Sequence, residues 1–221
     1  MKIAQFVSTV VLVAVAALGS FGQNQRTLAQ AEKVSGDKFT YTTKTPKGAN
    51  VYAVKKPSAD SLKAIDKGLT DLFAVARKNN YRSRLNFTDY SIYLGKPDRL
   101  IDGDGKYSPA IAIGTAQYAG SVFDKGGFMY VAGLLLSQEP CAFLVPEHTK
   151  NFSVLSDYVR YEGEHLVLYH NDRRRYSATA DHTKGGSHSG EESFGYLLPR
   201  WIFNGFSGFP VPKALGALST F

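Results

Sequence analysis

Residues 58–80 read SADSLKAIDKGLTDLFAVARKNN. Leu62, Ile65, Leu69, Leu72, Phe73 and Ala76 recur there at helical spacing, which predicts an amphipathic helix with one apolar face. Ser58 or Asp60 supplies its N-cap, and Asn79-Asn80 ends it. The flanking sequence has a different period. Phe39-Thr40-Tyr41-Thr42-Thr43 and Val51-Tyr52-Ala53-Val54 are β-branched and aromatic runs separated by Pro46, Gly48 and Asn50, and they read as a hairpin or paired strands.

Downstream, residues 87–94 alternate through Tyr90, Ile92 and Leu94, and Gly95-Lys96-Pro97 breaks them off as a strand. Asp102-Gly103-Asp104-Gly105-Lys106 looks like the middle of a calcium loop, but that register puts Leu100 and Ile111 at ligand positions. A tight turn is the expectation. From Ala110 to Val145 the chain is apolar and glycine-rich, with strand-like runs at 110–113, 128–136 and 142–145. Nearly continuous apolar strands imply a sheet covered on at least one face. Ser153 to Tyr169 then returns to helical period, with Leu155, Val159, Leu166 and Tyr169 on one side and Asn171 as its stop. Strands and helices mix without regular βαβ alternation. The expected class is therefore α+β: a single domain whose mixed or antiparallel sheet is packed by two main helices, about 58–79 and 152–170.

The N-terminus carries an export layout. Lys2 provides a positive start and Val11 to Gly19 (VLVAVAALG) an uncharged apolar core. A membrane span takes about 20 apolar residues, whereas this run dissolves into Gly19, Ser20 and Gly22 and then Gln23-Asn24-Gln25-Arg26. Two points fit the small-x-small rule for cleavage, Ser20-Phe21-Gly22 and Ala29-Gln30-Ala31. The expectation is a secretion signal within residues 1–31, cut after Gly22 or after Ala31, the closer match. Residues 32–221 then form a secreted or periplasmic domain with no transmembrane segment in the mature chain.

Composition narrows the options. The single cysteine, Cys141, lies in the apolar run Pro140 to Val145, so no intramolecular disulfide forms and the thiol is expected to be buried and inert. The formal charge is +7, but the basic residues are spread from Lys33 to Lys213 and the one dense run is Arg173-Arg174-Arg175. No nucleic-acid partner is expected. Residues 194–221 hold Trp201, Phe203, Phe206 and Phe209 among Pro199, Pro210 and Pro212, too broken for a membrane helix. This segment either wraps the core or offers an apolar partner surface.

The strongest chemical signal is a histidine and acid cluster. His165, His170, His182 and His188 share one stretch with Glu162, Glu164, Asp172 and Asp181, donors that suit zinc and related divalent ions. Glu162 and His165 stand at i and i+3, on one helical face, as in the Glu-x-x-His arrangement of bundle metal sites. His165 and His170 point about 140° apart on a regular helix. His182 and His188 flank Thr183-Lys184-Gly185-Gly186-Ser187, whose glycines allow two imidazoles to converge. The expected ligand set is Glu162, His165, His182 and His188, with Glu164 or His170 as general base for a metal-bound water. The bland account pairs Glu162, Glu164, Asp172 and Asp181 with Arg160 and Arg173 to Arg175 on the surface, where such pairs contribute little.

These readings give two functional expectations. One is an exported metal-dependent, zinc-type hydrolase acting on a small molecule or peptide. The other is a non-enzymatic secreted or envelope-associated binding protein.

Overall fold

The computed structural model describes residues 25–96 and 133–179, with the backbone of short strands at 100–101, 107–108, 111–114, 123–125 and 128–131 between them. Helix α1 (residues 25–35) comes first. Strands β1 (Tyr41–Lys44) and β2 (Asn50–Ala53) pair antiparallel, Thr42 opposite Tyr52, as the hairpin expected from the Pro46 to Asn50 break. Helix α2 (Ala59–Lys78) follows. Ser58 caps it by accepting a hydrogen bond from the Ser61 N–H. At its other end the Asn80 and Tyr81 amides donate to the carbonyls of Arg77 and Ala76, and Asn80 takes the left-handed φ of 62° that asparagine tolerates.

A 3-10 turn at Phe87–Asp89 leads into β3 (Tyr90–Gly95). The intervening segment contributes β4 (Leu100–Ile101), β5 (Tyr107–Ser108), β6 (Ile111–Gly114), β7 (Phe123–Lys125) and β8 (Phe128–Val131). β4 pairs with β5, and β6, β8 and β7 form a three-stranded antiparallel sheet in that order. Then come β9 (Leu134–Ser137), β10 (Cys141–Pro146), α3 (Phe152–Asn171) and α4 (Arg173–Thr179).

The main sheet has the order β1-β2-β3-β10-β9. β3 is parallel to β2 on one side and to β10 on the other, while β1 and β9 run antiparallel at the edges. The sheet is therefore mixed, and the fold is α+β. It contains one βαβ unit, β2-α2-β3, because parallel neighbours need a crossover. Among the described residues no helix is long and apolar enough to cross a membrane.

Alternation along the central strands divides two cores. Val51 and Ala53 of β2, Tyr90, Ile92 and Leu94 of β3, and Cys141, Phe143 and Val145 of β10 face α2 and α3. Tyr93, Ala142 and Leu144 face the other way, where Ala31 and Val34 of α1 and Phe39 cover them. Tyr93 anchors this second layer. Its ring stacks on Tyr52 at 4.8 Å and meets Phe39 edge-on at 5.4 Å, and its hydroxyl shares a 2.8 Å hydrogen bond with Thr27. Burial pushes this phenol up to about 12. Cys141 is buried as expected, and burial likewise raises its thiol to about 12.

The two main helices cross at glycines. A Cβ on Gly68 would meet the Ser156 carbonyl oxygen and come within 2.9 Å of Val159 Cβ. One on Gly163 would lie 2.5 Å from Leu72 Cδ2. The absence of side chains at these points lets α2 and α3 approach closely, and α2 together with β9, β10 and α4 packs around α3.

Candidate metal centre on helix α3

Helix α3 is amphipathic only near its start. From Glu162 to Leu168 every residue is buried, the pattern of a helix surrounded on all sides. Three of these residues are ionisable: Glu162, Glu164 and His165 expose 4, 1 and 4 % of their surface. The surface-pairing account does not describe them. Arg160 instead lies 3.8 Å from Asp157, and Asp172 accepts from the Tyr81 hydroxyl and the Arg175 amide.

Glu162 and His165 come together as the i, i+3 spacing requires, with Oε2 and Nε2 3.9 Å apart. Both donors can bond one ion at about 2 Å, and tetrahedral coordination asks them to close by about half an ångström. The carboxyl lies against Gly133, just ahead of β9, where a Cβ would be 2.6 Å from Oε1. Tyr161 meets the His165 ring edge-on at 5.4 Å. Desolvation alone drives Glu162 up to about 8, so near neutral pH it holds a proton. A cation at this position would have to displace that proton, and would supply the counter-charge that burial withholds.

The two expected bases lie elsewhere on the helix. Glu164 is two residues from Glu162, about 160° around the axis. His170 sits at the C-terminal end, where Nε2 contacts the Gln138 carbonyl oxygen at 2.8 Å and the Glu139 carboxylate at 3.7 Å. It ties α3 to the turn between β9 and β10. His182, His188 and Asp181 lie outside the described residues, as do the Asp102 to Lys106 turn and the 194–221 segment. Among the described residues no group of three or more metal-type donors assembles.

Two features of this region escaped the sequence. Gly133 was one glycine among many, and only the packing shows that it makes room for Glu162. Glu147 is a further buried carboxyl, placed where β10 ends: its N–H donates to the Gly95 carbonyl and Lys55 Nζ stands 3.7 Å from its carboxylate. An acid directly after an apolar strand is the signal that marks it.

No protein-family model matches this chain, and neither the curated proteins nor the solved structures contain a match to it.

Proposed function

We propose that this chain is an exported, zinc-type metal-dependent hydrolase whose ion is held by Glu162 and His165 and completed by His182 and His188. The carrying observation is the buried pair itself: a carboxyl and an imidazole 3.9 Å apart on one helical face, the carboxyl kept neutral by burial alone. A zinc ion held there would supply Lewis-acid activation of water for hydrolysis, without a base on the Glu162 face, from which Glu164 is turned by about 160° and His170 lies at the far end of the helix. Small peptides are the substrate class to try first.

The enclosure of the pair favours a second reading. Both side chains are only 5 % exposed, so an ion here could equally hold the fold together in a non-enzymatic secreted or envelope-associated binding protein. Elemental analysis of the purified mature protein and its variants separates the outcomes. About one zinc per chain, lost in His165→Ala and retained in His170→Ala, is the expected result. Chelator-sensitive cleavage of a peptide library, restored by zinc, supports the hydrolase; bound zinc without cleavage supports the structural ion. A chain that takes up no zinc, or holds it equally in His165→Ala and Glu162→Gln, overturns the site.

A further inference from the structure

We infer that the export signal is removed after Gly22, so that the mature chain begins at Gln23, rather than after the closer sequence match at Ala31. The inference rests on the export reading and on where α1 sits. Residues 25–35 are a helix of the folded domain. Its inward residues Thr27, Ala31 and Val34 are 6, 0 and 5 % exposed, with Leu28 packed beside them. They lie on the sheet face opposite α2 and α3, over Tyr93, Ala142 and Leu144. The helix is also tied to the sheet: Thr27 shares a hydrogen bond with the Tyr93 hydroxyl.

A cut after Ala31 would discard Thr27, Leu28 and Ala31 together, leaving a single helical turn over Tyr93. That ring is fully buried in the intact fold. Of the residues that cover Tyr93 and Leu144, Val34 and Phe39 would remain, but Thr27, Leu28 and Ala31 would be gone and the Tyr93 hydroxyl would lose its partner. A cut after Gly22 leaves every one of these contacts in the mature chain. It also falls immediately after the apolar core of the signal, whereas Ala31 lies nine residues further on. Once residues 25–35 coil, Ala31 is no longer available in the extended form that a protease cleft takes.

The test is intact mass and N-terminal peptide mapping of the full-length chain expressed with its own leader and recovered from the exported fraction. A mature N-terminus at Gln23 is expected, either with a free amine or as pyroglutamate. The cyclic form arises when the α-amine bonds to the side-chain Cδ and displaces ammonia from the amide. Gly22→Trp should block processing and accumulate the precursor, while Ala31→Trp should leave the cut unchanged. An N-terminus at Glu32 overturns the inference while leaving export intact. A full-length chain that stays uncut in the cytoplasm overturns the export reading itself. As a control on the fold, chains made to start at Gln23 and at Glu32 are compared by thermal melting; a Glu32 chain as stable as the Gln23 chain removes the structural basis of the inference.

Discussion

Gly133 lies directly against Glu162: a methyl group built on the glycine would sit 2.6 Å from both Cγ and Oε1 of the glutamate. The contact is with the carboxyl arm of a buried residue that has little room to yield. Gly133→Ala should therefore cost about 1–3 kcal/mol and displace the carboxyl from His165. Glu162→Ala should relieve much of that cost, so that the double variant is more stable than the sum of the single changes predicts. Urea denaturation of the four proteins measures this coupling.

The protonated Glu162 sets a pH dependence of stability. Its folded value is raised to about 8 from the ordinary 4.5, so between those limits the native state keeps a proton that the unfolded chain has shed. Stability is then greatest below the lower value, falls as pH rises, and levels off above about 8. The slope contributed by this one group reaches about 1.4 kcal/mol per pH unit. Glu162→Gln should flatten it, as read from urea midpoints between about pH 5 and pH 8 in the presence of chelator. Over the same interval zinc affinity should rise roughly tenfold per pH unit, because the ion must displace this proton.

At the helix crossing the two glycines should respond unequally. A Cβ on Gly68 collides with the backbone of Ser156 and with Val159 Cβ, neither of which moves without shifting α3. Gly68→Ala should cost about 3 kcal/mol or more. On Gly163 the obstruction is the far end of the Leu72 side chain, which can rotate. There the gain of about 1 kcal/mol in helix propensity offsets much of the clash. Thermal melts of the two single variants rank them.

Cys141 should ignore thiol reagents until the protein opens. Burial raises its thiol from 9.0 to about 12, which lowers the reactive thiolate fraction about a thousandfold before steric exclusion is counted. Labelling by a maleimide in native buffer should track the opening rate and jump at the urea midpoint. Rapid labelling of the folded protein would contradict the buried position of Cys141 beside Tyr90 on the neighbouring strand.

Local period carried much of the fold. Leu62 through Ala76 specified α2 because a helix with one wet side writes its face into the sequence; its cap was narrowed to Ser58 or Asp60, and Ser58 takes it. The apolar run at 142–145 marked a strand of a covered sheet, but its central place and whether it paired parallel or antiparallel were not written in it. That depends on α2 returning the chain and on Ile92 meeting both Val51 and Phe143. Helix α1 stayed hidden since Ala31, one of its inward residues, also completes the Ala29-Gln30-Ala31 cleavage match. In the candidate site, the i, i+3 spacing of Glu162 and His165 sufficed to place them together. Their burial was not foreseen, because α3 loses its amphipathic stripe when α2, β9, β10 and α4 all pack around it.

The position of β10 between β3 and β9 constrains the order in which the molecule can assemble as it emerges N-terminus first. By the time Gly95 is available, β1, β2, α2 and β3 have their partners at hand, and α1 can already cover Tyr93. The opposite side must wait for about 45 further residues before Cys141–Pro146 closes the open edge of β3, and longer for α3 to shield Leu69 and Leu72. During that interval a nascent chain presents an unpaired strand edge beside an uncovered apolar helix, the combination that invites association with other chains.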